Sequence, residues 1–167
     1  SKYRAQGRSD FVARYRAMCE WFDETCGELL GLIEARGLTD NTLVVYVTDN
    51  GWIQREDSGG FAPRSKRTPY EGGIRTPIIL TWPGKIPSGR DDSTLVTSLD
   101  LAPTILEACG LTATEAMPGR SLLQGPPNDR HELFGEIFSH DAVDIDDPAR
   151  NLQYRWCIDG EWKLIVP

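Results

Sequence analysis

A chain of 167 residues, 40% hydrophobic and 26% charged, has the size and composition of one ordinary domain with a real core, which excludes a disordered segment. Its net charge of −7 provides no basic face for a nucleic acid. No run approaches the roughly 20 apolar residues needed to span a bilayer, and the polar start Ser1-Lys2-Tyr3-Arg4 is no signal peptide.

Asp10 to Arg36 reads as one long amphipathic helix, with Tyr15, Met18, Phe22, Leu29, Leu30 and Ile33 along one face and Gly37 as its stop. Asp40-Asn41 makes a turn. The apolar, β-branched run Leu43 to Val47 then predicts a strand buried on both faces, as in a parallel sheet covered by helices. Gly51 to Gly73 lacks periodicity and is expected to be a long loop of the kind that carries function. Ile78 to Thr81 is the next strand, ended by Trp82-Pro83-Gly84, and Leu95 to Thr97 a short third one. Asp100 is placed to cap a helix holding Leu101, Ile105, Leu106 and Cys109, with Pro103 in its first turn and Gly110 closing it.

After Pro126-Pro127-Asn128-Asp129, a linker-like break, Leu133 to Phe138 reads as a strand. Arg155 to Ile158, Asp159-Gly160 and Glu161 to Val166 form a hairpin pattern, which needs a further pairing partner to be stable in water. Cys19, Cys26, Cys109 and Cys157 make no CxxC pair. Cys19 and Cys26 sit about 10 Å apart along one helix, too far for a disulfide. All four read as buried small hydrophobes.

The chemistry concentrates at Thr48-Asp49-Asn50-Gly51, where the first strand ends. Ligands bind at the carboxyl ends of strands in open α/β sheets, and a carboxylate beside a carboxamide offers two hard oxygens suited to Ca²⁺ or Mg²⁺. Asn-Gly is equally a turn dipeptide, so both readings stand on the residues alone. Lys66, within Ser65-Lys66-Arg67-Thr68, is either a solvated loop cation or a point charge for an anionic oxygen beside a metal. Gly72-Gly73 marks a backbone with unusual dihedrals or a close approach. His131 and His140 lack metal-ligand spacing, Glu136 has no supporting neighbour in sequence, and Asp141, Asp144, Asp146 and Asp147 read as a solvated acidic loop.

Taken in order, Gly37-Leu38-Thr39-Asp40-Asn41-Thr42, Thr48-Asp49-Asn50-Gly51, Lys66, Tyr70-Glu71-Gly72-Gly73-Ile74-Arg75-Thr76-Pro77, Trp82-Pro83-Gly84-Lys85-Ile86, Ser98-Leu99-Asp100-Leu101-Ala102-Pro103-Thr104 and Ala108-Cys109-Gly110 closely resemble the type I sulfatases of the alkaline-phosphatase superfamily. Arg155 to Ile165 resembles the hairpin opening that family's small carboxyl-terminal subdomain. The resemblance implies an α/β fold: a partial alkaline-phosphatase-like sheet flanked by helices over residues 1–125, then a linker and the start of the small subdomain over 126–167. It implies that Asp49 and Asn50 ligate a divalent cation, usually Ca²⁺, and that Lys66 contacts the sulfate group. Trp52 is expected either to wall the substrate pocket or to pack in the core.

The family's nucleophile is a formylglycine made from Cys or Ser in a C/S-x-P-x-R motif, and no Cys or Ser here begins one. The expectation is therefore a carboxyl-terminal segment of a sulfuric-ester hydrolase, inactive alone and with an incomplete metal site, whose partner is a sulfate ester once the missing half completes it. Two other functions fit the same residues. One is a non-catalytic binding or assembly protein that self-associates through an exposed sheet edge; the other is a phosphate or phosphonate ester hydrolase.

Overall fold

The computed structural model describes residues 2–167. They group into two compact units: residues up to Thr42 with Thr48–Thr76, and Leu43–Val47 with Pro77–Pro167.

In the first unit a short helix, α1 (Lys2–Ala5), precedes α2 (Asp10–Ala35). Ser9 caps α2, its Oγ accepting the Val12 N–H at 3.3 Å and so satisfying one donor left over in the first turn. Gly37, at φ 65°, closes it. The Gly37 N–H donates to the Glu34 carbonyl at 2.9 Å and the Leu38 N–H to the Ile33 carbonyl at 3.1 Å, which are the two bonds of a left-handed glycine cap. The apolar face is real but mostly not packed. Val12 and Ala13 are buried, whereas Met18, Trp21 and Leu29 are 65%, 71% and 58% exposed. Periodicity specifies a face; it does not specify what lies against it.

The remainder of this unit is the expected long loop, and it is tethered. Gln54 and Phe61 form an isolated antiparallel bridge, the Ala62 N–H donates to the Ile53 carbonyl at 2.8 Å, and a single helical turn, α3 (Glu71–Ile74), ends the segment.

In the second unit β1 (Val44–Val47) pairs with β2 (Ile78–Thr81), Val44 opposite Thr81 and Val47 opposite Ile78. The pairing is antiparallel, and Val47 and Ile79 are 40% and 51% exposed, so the parallel, doubly buried strand expected for Leu43 to Val47 is corrected. A β-branched run favours extended backbone but leaves the direction of its partner open. Leu95 to Thr97 is no strand. Just before it, the Asp91 Oδ1 accepts the N–H groups of Ser93 and Thr94, each at 2.8 Å, and this side-chain turn takes backbone donors a ladder would need.

The helix that follows, α4 (Leu101–Ala108), has Asp100 at its N-cap position as expected but without a side-chain cap bond, and the side-chain cap is made one turn earlier by Thr97, ahead of a tight turn at Ser98–Asp100. The Asp100 carboxylate instead accepts the Thr97 N–H at 2.9 Å, the returning half of a capping box. Pro103 sits buried in the first turn of α4, and Gly110, at φ 72°, closes the helix as Gly37 closes α2.

Asp100 is completely buried and is the organising group of this unit. Its Oδ1 accepts the Arg120 N–H at 2.8 Å and Arg130 Nη2 at 2.7 Å; Oδ2 also accepts Arg130 Nη1 at 2.6 Å. Burial pushes its pKa up, but the hydrogen bonds from Arg130 and from the backbone N–H groups of Arg120 and Thr97 outweigh burial and hold it below the usual carboxylate range. Arg130 Nη1 reaches the Leu95 carbonyl as well, at 3.1 Å. Thr104, also fully buried, donates its hydroxyl to the Asp100 carbonyl at 2.6 Å and accepts the Leu122 N–H at 2.9 Å.

The carboxyl-terminal part is a three-stranded antiparallel sheet of β3 (Glu132–Phe138), β4 (Leu152–Asp159) and β5 (Trp162–Val166), with β4 central. The predicted hairpin thus has its partner in β3. Asp159 pairs with Trp162, so the turn residues are Gly160 and Glu161, one step along from the expected Asp-Gly. Gly160, at φ 55°, takes the left-handed position such a turn requires. Facing β4, Gly135 lies under the Trp156 indole, where a Cβ would come within 2.2 Å of the ring. The cysteines are all free thiols; Cys19 and Cys109 are exposed and Cys26 and Cys157 half-buried, not the core fillers expected.

Candidate anion- and metal-binding site

Asp49 and Asn50 follow Thr48 directly. Asp49 is exposed and its Oδ1 accepts the Asn50 N–H at 2.9 Å; the half-buried Asn50 donates its Nδ2 to the Gly51 carbonyl at 3.0 Å. Those bonds use the carboxamide's donor end, leaving its carbonyl oxygen and the second Asp49 oxygen without a donor among the described residues. Two hard oxygens on adjacent residues fit a Ca²⁺ or Mg²⁺ donor set. No group of three or more His, Cys, Asp or Glu able to hold a metal occurs among the described residues.

Lys66 is presented by a strained turn. Arg64 and Arg67, on either side of Ser65-Lys66, have φ of 57° and 65°, a region that residues with a Cβ rarely hold. Four contacts surround it. Ser65 is fully buried and its Oγ accepts the Ile53 N–H at 2.7 Å, while its carbonyl accepts the Thr68 hydroxyl at 2.6 Å. Gly73 packs flat against both: a Cβ there would lie 2.3 Å from the Thr68 carbonyl oxygen and 2.4 Å from that of Ser65. A Cβ on Gly72 would meet the Arg64 carbonyl oxygen at 2.6 Å. The diglycine therefore serves close approach, and neither residue has a positive φ.

The same diglycine ties Lys66 to the oxygen pair. The Gly51 N–H donates to the Gly73 carbonyl at 2.8 Å, and a Cβ on Gly51 would sit 2.2 Å from the Gly72 oxygen. One backbone lock thus holds the residue after Asn50 against the segment that buries Ser65. Trp52 comes next. Its ring lies under the Lys66 ammonium, 5.7 Å from Nζ to the centroid, and meets Phe61 edge-on at 5.4 Å between centroids. No carboxylate pairs with Lys66 among the described residues. An unpaired ammonium on an aromatic face remains available to an anion.

The other titratable residues singled out in sequence lie elsewhere. His131 and His140 are exposed, Glu136 is paired with Arg155 at 3.1 Å, and Asp144 accepts the N–H groups of Asp146 and Asp147 in an acidic loop.

Comparison with known families decides what this arrangement descends from. The sulfatase family model matches residues 1–111, and the model for the carboxyl-terminal part of N-sulphoglucosamine sulphohydrolase matches residues 59–165. This chain belongs to the sulfatase family. It is 30% identical to a sulfatase of Formosa agariphila over 98% of this chain and 34% of that protein. It is 34% identical to N-acetylgalactosamine-6-sulfatase of Canis lupus familiaris over 70% of this chain and 21% of that one. The chain thus spans about a third or less of these curated relatives. A structure solved in complex with its substrate D-glucosamine-2-N,6-O-disulfate superposes with a TM-score of 0.68 at 28% identity, over 86% of this chain and 28% of that one. The phosphonate monoester hydrolase of Silicibacter pomeroyi gives 0.66 at 26% identity, over 86% and 30%. The type I sulfatase resemblance and the partial alkaline-phosphatase-like α/β fold read from the motifs both hold.

Sequence alone supplied Asp49, Asn50, Lys66 and Trp52. It did not supply Ser65, Gln54 or Phe61, whose roles come from contacts that only the folded loop creates. The one available signal was Gly72-Gly73, an adjacent pair in a loop that must approach another backbone.

Proposed function

We propose that these residues form the cation- and sulfate-binding end of a sulfuric-ester hydrolase site. Asp49 and Asn50 offer carboxylate and carboxamide oxygens to a divalent cation, Ca²⁺ first, and Lys66 holds the oxygens of the sulfate group. A bound cation supplies positive charge against the charge that builds on the sulfuryl and leaving oxygens. Lys66 adds its charge from the protein side, and the lock between Gly51 and Gly73 fixes where that charge stands. The observation that carries this reading is the unpaired Lys66 ammonium on a strained turn that packs on Gly73, whose carbonyl accepts the N–H of Gly51, the residue after the oxygen pair.

These 167 residues include no C/S-x-P-x-R motif, so the chain alone turns over no ester. The cation is therefore the direct test. Calcium titration of the chain is expected to give weak binding, on the order of 10⁻⁴–10⁻³ M, lost in both Asp49→Ala and Asn50→Ala. Binding unchanged in those variants would overturn the metal pair, and metal-dependent hydrolysis of p-nitrophenyl sulfate would overturn the inactivity. The substrate class is a sulfated sugar, as the names of N-acetylgalactosamine-6-sulfatase and N-acetylglucosamine-6-O-sulfatase suggest.

A second reading, an assembly role, is favoured by the uncovered side chains of α2, Trp21 and Met18 above all. It predicts self-association; a monomer by light scattering at micromolar concentration would refute it.

A further inference from the structure

Trp52 is held with unusual care for a side chain that is not buried. Its indole Nε1 donates to the Gln54 Oε1 at 3.3 Å. Gln54 is in turn tied down at its other end, Nε2 donating to the carbonyls of Arg55 at 3.2 Å, Ser58 at 2.8 Å and Gly60 at 3.2 Å. The bridge between Gln54 and Phe61 closes this small loop and sets the Phe61 ring edge-on to Trp52. A core tryptophan is fixed by burial. This one is fixed by a directional network around its edge, with the Lys66 ammonium over the ring and both aromatic rings only half-buried.

We infer that Trp52 and Phe61 form the wall that receives the sugar ring of the ester while Lys66 receives its sulfate. This rests on the reading of Lys66 as the sulfate-holding cation and extends it from the anion to the group that bears it. A flat indole presents a weakly negative face, which complements the C–H face of a pyranose; the same face steadies a cation. A sulfated sugar presents both features at neighbouring positions, an apolar ring face and an anion. The wall needs no charge of its own. Arg55, the nearest loop cation in sequence, is bound to Asp57 by two bonds of 2.7 Å. Specificity for the sugar then sits in the loop from Gln54 to Phe61, whereas the anion end sits in the turn that carries Lys66. Trp52 is a specificity-determining residue in this account and takes no part in bond breaking.

The test uses the ¹⁵N-labelled chain as it stands, titrated with sodium sulfate, with N-acetylglucosamine 6-sulfate and with N-acetylglucosamine. The sulfated sugar is expected to bind about fivefold more tightly than sulfate. It should shift the Trp52 indole N–H and show saturation transfer from aromatic protons to its ring C–H protons. Trp52→Ala and Phe61→Leu should each shrink the advantage over sulfate towards unity, and Lys66→Met should abolish binding of both anions. Saturation transfer in the unmodified chain stands even if a variant fails to fold. If sulfate binds through Lys66 but the sulfated sugar binds no tighter and shows no transfer, the wall is refuted and the anion site survives. If neither anion binds, or the unsulfated sugar binds as well as the sulfated one, the wall and the Lys66 reading fall together.

Discussion

Replacing Arg130 by methionine tests the organising group of the second unit. The substitution keeps a long apolar stem but removes the two charge-assisted bonds to Asp100, at 2.6 and 2.7 Å, and the bond to the Leu95 carbonyl at 3.1 Å. Asp100 would keep only the N–H groups of Thr97 and Arg120, on a carboxylate with no exposed surface. Breaking a buried pair by removing one partner costs roughly 3–5 kcal/mol, because the remaining charge stays uncompensated. For a chain of this length that is a fall in Tm of roughly 6–20 °C. The pH dependence adds a second handle. The folded pKa of Asp100 is depressed, so its stabilisation is present above the unfolded value and is lost as pH falls through the folded one. In Arg130→Met, burial becomes the dominant influence and the carboxyl titrates upward, so protonation relieves the variant. The gap between the two proteins, measured by urea unfolding followed by circular dichroism, is therefore expected to start narrowing above about pH 4, as the variant's carboxyl takes up its proton, and to narrow further below it as the unmodified protein loses its own stabilisation. A gap under about 1 kcal/mol at pH 7, or one that is unchanged on acidification, would refute the reasoning.

Thr104→Val removes a hydroxyl that donates to the Asp100 carbonyl and accepts the Leu122 N–H. Leaving that buried N–H unpaired should lower stability by about 1–3 kcal/mol in the same unfolding assay, and no loss would show that water replaces it. Gly73→Ala forces a methyl group against the carbonyls of Ser65 and Thr68, so the turn carrying Lys66 must open. The expected result is a loss of about 1–3 kcal/mol together with weakened sulfate binding. Unchanged sulfate binding would mean that the turn does not position Lys66.

Much of the architecture was legible because local signals set it. The glycine stops of α2 and α4, the strands β1 to β5 and the Gly-Gly close approach all follow from residues a few positions apart. What sequence hid was long-range. Asp100 holds the cap position of α4 that sequence suggested, but its carboxylate also serves Arg120 and Arg130, further along the chain and invisible to any periodicity. The apolar stripe on α2 was legible as a stripe, but what covers it was not: Val12 and Ala13 are buried while Met18 and Leu29 stay exposed. β1 was read correctly as extended and wrongly as parallel, since side-chain branching says nothing about the partner's direction. For the site, Asp49, Asn50 and Lys66 stood out only through the ordered family motifs. Local reasoning alone could not separate them from a turn and a solvated cation.

The lock between Gly51 and Gly73 divides the loop it closes into a stem and a tip. The residues proposed to hold cation and sulfate lie at the stem, where glycines with no room for a Cβ make the backbone intolerant of change. The tip, around Arg55 to Ser58, is exposed or half-buried. Doubling the length of a flexible loop adds only about 0.6 kcal/mol once its ends are joined. A chain built this way can lengthen, shorten or re-sequence its tip while the charged end keeps its geometry. If the proposed roles of Lys66 and Trp52 hold, charge recognition and ring recognition are separable modules, and a change of sugar demands no change in the turn that carries Lys66.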